Sequence, residues 1–317
     1  MDVNLFLQQL INGLALGTTY SIFALGYTLI FSILGIIKFS HGAVFTLGAY
    51  FTYLLMGLKF GFNGVLANQQ LPFGVPFPVA VFFSAILCGF VSVFIERVAF
   101  RPLRNRGADP LLTLVSSLGV TIVIVNVIQY LVGAEAISYP TLANMLRIND
   151  SIVIDLGAGR PLIIRTSQLV TFGVSAVILV CLTYLINYTK MGKALQAVAE
   201  DQVTANLLGI NTNRLIFFTF FLSGFVAGIA GSMVGLSTQV DPYFGVKFGL
   251  KGLAVIVLGG LGSIPGAVIG GMLIGLSEAF VPSSLVGWKN AIAFFILFLV
   301  LLLRPRGLLG RATITKV

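Results

Sequence analysis

The stretch from Phe217 to Thr238, FFTFFLSGFVAGIAGSMVGLST, is apolar on every side and carries no charge. At 1.5 Å of rise per residue, a helix made from such a run covers a hydrocarbon layer of about 30 Å. Runs of this kind recur along the 317 residues, of which 57% are hydrophobic and only 9% charged. A water-soluble domain does not tolerate that balance. Membrane-spanning strands would read as segments of about ten residues alternating polar and apolar, and these runs do not alternate. The chain therefore reads as an all-α integral membrane protein, a polytopic helical bundle in which residues 1–317 form a single transmembrane domain.

Spans are expected at Leu5 to Ile37, Gly42 to Leu58, Phe77 to Arg97, Leu111 to Gly133, Gln168 to Tyr188 and Leu215 to Ser237. A broken region from Phe248 to Val281 and a last span from Trp288 to Leu303 bring the expected count to about eight transmembrane helices. The opening MDVNLFLQQLINGLALG has no Lys or Arg before its apolar run and no small-x-small cleavage site, so the first helix is expected to stay. Cys88 and Cys181 lie inside apolar runs and are expected to be unpaired packing residues.

Basic residues decide orientation. ERVAFRPLRNR supplies four arginines between the third and fourth spans, and TKMGKA with Arg214 flanks the segment after the fifth. Both loops should be cytoplasmic, which leaves residues 134–167 as an extracytoplasmic loop. Its SIVIDLGAGRPLIIR has two β-branched runs around a Gly-rich turn, the pattern of a hairpin. The tail RPRGLLGRATITK is basic as well, so an odd number of crossings must follow Asp241. GGLGSIPGAVIGG inside the broken region fits two short helices meeting in a re-entrant turn, or a simple kink. Irregular backbone at membrane depth must be covered, so the break is expected to face the bundle interior.

The net charge of +9 sits in loops and tail without interleaved aromatics, which points to topology and not to nucleic acid. A single histidine, His41, cannot build a multi-histidine metal site. NYTKMGKA lacks the first glycine of a Walker A loop and has Ala194 after Lys193, so the chain is not expected to bind ATP. Titratable groups at membrane depth are few: His41, Glu96 beside Arg97, and Glu278. Each could serve transport or a structural hydrogen bond, and Gly262, Pro265 and Gly266 mark a hinge or a piece of solute path. Small residues four apart recur, as in Gly13 and Gly17, Gly224 and Gly228, or Gly271 and Gly275, and suit close helix packing.

One segment does not fit the apolar pattern. KALQAVAEDQVTANLLGINTNRL, Lys193 to Leu215, which fills most of a cytoplasmic loop at residues 189–214, reads as two short helices, with Asp201 as N-cap of the second and Gly209 just past its end. Leu195, Val198, Val203, Leu207 and Leu208 give it an apolar side. It fits either a helix lying on the bilayer surface or a helix seated in the groove of a cytoplasmic partner.

With these motifs in view, the chain resembles the permease subunits of bacterial branched-chain amino acid ABC importers, the LivH type. The resemblance rests on NLFLQQLINGLALGTTYSIFALGYTLIF with GIIKFSHGAVFTLGAY, on AVAEDQVTANLLGINTNRL, and on VLGGLGSIPGAVIGGMLIGLSEA with the ending RPRGLLGR. Val203 and Thr204 depart from the general Glu-Ala-Ala pattern of import permeases, as that branched-chain group does. The resemblance implies residence in the bacterial inner membrane, a related second permease of the LivM type, two cytoplasmic ATPases and an extracytoplasmic binding protein. ATP and Mg would be held by the ATPases, with no cofactor on this chain. Glu200, Asp201, Ala205, Leu208 and Gly209 become the expected coupling-loop residues, Glu200 and Asp201 meeting basic groups on the ATPase. The expected activity is ATP-driven uptake of branched-chain or other neutral amino acids by alternating access. Import of urea or short amides is the second reading, and a stand-alone secondary transporter the third.

Overall fold

Thirty-two residues from Val3 to Leu34, without charge or proline, form one long helix, α1. It ends where Gly35 takes φ +63° and donates its N–H to Phe31 O at 2.9 Å, a conformation only glycine adopts cheaply. The computed structural model describes residues 3–59, 63–67, 69–146, 149–155 and 161–310. After α1 come α2 (Ser40–Leu55), α3 (Phe77–Ile95) with a π-helical turn over Glu96–Phe100, α4 (Arg101–Asn105), α5 (Pro110–Val132) and α6 (Leu142–Leu146). The antiparallel strands β1 (Ser151–Ile154) and β2 (Leu162–Arg165) pair with Ser151 opposite Arg165 and Ile154 opposite Leu162. This is the expected hairpin; its Gly-rich turn and Arg160 lie outside the described residues. Then follow α7 (Thr166–Tyr188), α8 (Lys190–Glu200), α9 (Gln202–Leu207), α10 (Thr212–Gly235), α11 (Phe244–Gly259), α12 (Ile264–Ala279), a 3₁₀ turn over Ser283–Trp288, and α13 (Lys289–Leu303).

The helices are those of a multi-pass membrane protein. Among the described residues, α1, α3 with its extension to Asn105, α5, α7 and α10 are each long and apolar enough to cross a bilayer alone, and α11 with α12 is a pair bent by 118°. The stretches expected to span near Gly42 and Trp288 become α2 and α13, of 16 and 15 residues, short of the about twenty that cover a bilayer core. Helix α2 is enclosed by α3, α5, α10 and α11, so lipid thickness does not set its length. Helices α1 and α10 are mostly buried and form the centre, whereas α5 and α7 turn Val115, Ile122, Val177 and Val180 outward, where lipid tails satisfy them. Cys88 is buried against α2, but Cys181 is exposed on the outward side of α7 and packs in no core.

The glycine pairs explain why the centre is so tight. A Cβ on Gly17 would stand 2.6 Å from Met272 Cα, and one on Gly48 would stand 2.6 Å from Gly228 Cα. Gly13 and Gly17 of α1 thus face Gly271 and Gly275 of α12, and Gly224 and Gly228 of α10 face α3. Backbone contact of this kind replaces the hydrophobic drive that lipid removes. These glycines are packing residues; no solute path is needed to account for them.

The break between α11 and α12 is the hairpin the sequence suggested, but its position corrects the expectation of a turn inside the bundle. Ser263 caps α12 by accepting from Gly266 N at 3.2 Å, and Pro265 occupies the first turn. Gly260 (φ +103°) and Gly262 (φ +82°) make the turn itself. A Cβ on Gly260 would meet Gly310, and one on Gly262 would meet Ser32 in the last turn of α1. Leu308 and Leu309 donate their N–H groups to Leu258 O and Gly259 O, both at 2.9 Å. The tail after α13 therefore covers the break and satisfies carbonyls that the end of α11 leaves open. The turn lies level with the ends of α1 and α13, at the end of the bundle that also carries Arg97, Arg101, Arg104, Lys190, Lys193, Arg304 and Arg306. We call it the basic end.

Candidate functional site

At the basic end, α8 and α9 connect α7 to α10 as a seated element. Thr189 caps α8 by accepting from Gly192 N at 3.0 Å. Asp201 caps α9, its Oδ1 accepting from Val203 N at 2.8 Å and Thr204 N at 3.2 Å while Oδ2 accepts from Thr204 Oγ1 at 2.7 Å. Gly209, at φ +83°, ends it as expected for a residue just past a helix. Asn206 Oδ1 then accepts from Thr212 Oγ1 at 2.6 Å and ties α9 to the first turn of α10. Asp201→Ala is expected to cost about 1 kcal/mol of local helix stability, read as faster amide exchange at Val203 and Thr204 with the rest of the bundle unchanged.

The apolar residues of this element do not share one side, which corrects the sequence reading. Leu195, Val198 and Ala205, at 2%, 1% and 2% exposure, pack with Ile33 and Leu215 in a small core under the end of α1. Val203, Leu207 and Leu208 point the other way and are 69%, 82% and 74% exposed. Ala205 therefore cannot touch a partner; it seats α9 on the bundle. Glu200, Asp201 and Gly209 are exposed, but Asp201 spends its carboxylate on the cap. Leu207 and Leu208, at the end of α9, project away from the bundle.

Of the buried charges in the bundle, Glu96 and Glu278 are ion-paired, and Lys38 is held by a hydroxyl and a ring. Glu96 is 4% exposed, and Arg104 Nη2, not the adjacent Arg97, donates to it at 3.0 Å. Arg97 instead lies over the Phe217 ring at 5.9 Å. Lys38, which the sequence reading passed over, is buried, donates to Ser92 Oγ at 2.9 Å and covers the Phe220 ring at 4.6 Å. His41 is buried between α1 and α10, its ring nitrogens 3.3 Å from Phe23 O and 3.3 Å from Ser223 Oγ, with Phe23 and Tyr27 edge-on. It is a satisfied core histidine. Glu278 is 2% exposed and closes a triad across α1, α11 and α12: Tyr20 OH donates to Oε2 at 2.8 Å, and Lys251 Nζ lies 2.9 Å from Oε1 and 3.0 Å from Oε2. Lys251 was also missed. The second lysine of GVKFGLKGLAVIVLGG, one turn deeper into the apolar run than Lys247, is the signal that could have found it, since a charge at that depth needs a partner.

At the opposite end, a cavity of about 630 Å³ opens between α1, β2, α7, α10, α11 and α13. Asn4, Gln8 and Asn12, four residues apart, bring one polar stripe of α1 to its wall. Gln8 pins the hairpin there: Ile163 N donates to its Oε1 at 2.9 Å and its Nε2 donates to Ile163 O at 3.0 Å. Among the described residues no group of three His, Cys, Asp or Glu could hold a metal ion.

A family model described as branched-chain amino acid transport system, permease component, matches residues 9–303. The chain belongs to this family. The permease is 37% identical over 315 residues to the high-affinity branched-chain amino acid transport system permease protein LivH of Escherichia coli K12, with 98% of each chain covered. It is also 37% identical over 317 residues to BraD of Pseudomonas aeruginosa, a permease protein of the same description, again with 98% of each covered. The probable LivH of Methanocaldococcus jannaschii is 27% identical over 296 residues, covering 90% of this chain and 87% of that one. For a permease, two features of the geometry matter: a cavity of mixed polar and apolar lining at one end, and at the other a seated element with an apolar tip.

Proposed function

We propose that this permease is the membrane subunit of an ATP-driven importer of branched-chain amino acids in the bacterial inner membrane. The basic end is cytoplasmic by the positive-inside rule, and residues 134–167 with the cavity face outward. A second, related permease completes the path, two ATPases that bind ATP and Mg dock below, and an extracytoplasmic protein delivers the solute. The observation that carries this reading is the split of α8–α9 into a buried anchor and an exposed tip. A partner groove that receives Leu207 and Leu208 can push on Ala205, Leu195 and Val198, and through them on the ends of α1 and α10. A self-sufficient ion-coupled carrier needs a titratable group that can gain and lose an ion during the cycle. In this bundle Glu278 is held by Lys251, and Glu96 by Arg104.

The test is reconstitution in liposomes with the ATPases, the second permease and the binding protein. Labelled leucine is expected to accumulate only with ATP, at a rate at least tenfold above that of urea. Gradient-driven leucine flux through this chain alone, or urea uptake matching that of leucine, would defeat the proposal.

A further inference from the structure

The 630 Å³ cavity has the size of a small-molecule site, about 300 to 1,000 Å³ in general, and a one-sided chemistry. Arg165, where β2 meets α7, and Lys289, the first residue of α13, both line it. Among the described residues no aspartate or glutamate does. Among the described residues neither cation has a carboxylate within ion-pair distance; the three ion pairs lie elsewhere, at Glu96, Asp241 and Glu278. Glu278 is next in sequence to the lining residue Ala279, yet its charge is already answered by Lys251 and Tyr20. Asn12 and Gln168 add amide groups, and Leu16 and Phe248 add apolar wall.

We propose that this cavity is a receiving site for a small solute bearing a free carboxylate and a short apolar side chain, with Arg165 and Lys289 holding the carboxylate. The proposal rests on the import reading above and narrows it: the permease itself reads the carboxylate. Planar, charge-assisted hydrogen bonding suits Arg165 to that task, and Lys289 adds a point charge from another wall. Gln8 keeps the Arg165 strand in place through its two bonds to Ile163 and is a positioning residue.

The probe is a cysteine at Ser237, which is exposed and lines the cavity, placed in a Cys181→Ser background in the full-length permease. Its rate of alkylation is followed in detergent with millimolar L-leucine, isovalerate or leucinol, which has no carboxylate. L-leucine and isovalerate are expected to slow alkylation, and leucinol to need at least tenfold more. Arg165→Gln with Lys289→Gln is expected to abolish protection by L-leucine, and Arg165→Lys to restore part of it relative to Arg165→Gln. Equal protection by leucinol, no protection by either carboxylate, or protection only by phosphatidylglycerol micelles would overturn the proposal. The readout needs no ATP, so this outcome is separable from a failure of ATP-driven uptake, which would strike the import reading alone.

Discussion

Lys251→Met is expected to destabilise the permease by about 3 to 5 kcal/mol, because it leaves the Glu278 carboxylate buried without its cation. Glu278 is 3% exposed at its side chain and holds α12 to α11 through Lys251 and to α1 through Tyr20. Removing the cation keeps the desolvation cost of the carboxylate and removes the attraction that offset it. The double variant Lys251→Met with Glu278→Leu removes both charges and is expected to recover most of the loss. Thermal unfolding in mild detergent reads this directly: a large drop for the single variant and a near-normal transition for the double. A single-variant loss under about 1 kcal/mol, the size of an exposed ion pair, would mean that water reaches the triad and that it locks nothing.

Leu207→Glu with Leu208→Glu is expected to reduce co-purification of the ATPases and ATP-driven leucine uptake at least tenfold while leaving the unfolding transition in place. Both side chains are more than 70% exposed, so their replacement removes no packing within this chain. Apolar anchors at the centre of a docking surface dominate its affinity, and two carboxylates in an apolar groove add desolvation to the lost contact. Ala205→Glu provides the contrast. At 2% exposure its carboxylate would be driven into the core under α1, so it should lose folded protein before it loses docking. Normal assembly with Leu207→Glu and Leu208→Glu would show that the ATPases grip another surface.

The membrane class, most helix positions and the family were legible in the sequence because their signals are local and additive. An uncharged run of twenty or more residues has few alternatives to a spanning helix, and Asp201 and Gly209 act on backbone groups within three residues of themselves. Which way a side chain on α9 points depends on where the end of α1 lies, and that is why Val203, Leu207 and Leu208 were grouped with Leu195 and Val198. The same holds for Glu96, whose neighbour in sequence is Arg97 and whose partner in space is Arg104. The π-helical turn between them, over Glu96–Phe100, changes the helical phase that a spacing argument assumes.

Composition and spacing by themselves determined that this chain spans a membrane as helices, that glycines let those helices touch, and that a polar element interrupts them after the fifth span. Only the tertiary structure decided that the α11–α12 turn lies at the basic end under the C-terminal tail, and that Lys251 meets Glu278. It also brought Arg165 and Lys289 to one cavity from residues more than a hundred apart in the chain. The physical reason is range: burial of apolar surface and backbone hydrogen bonding are settled within a helix, whereas charge pairing and cavity shape arise between helices that the sequence does not place side by side.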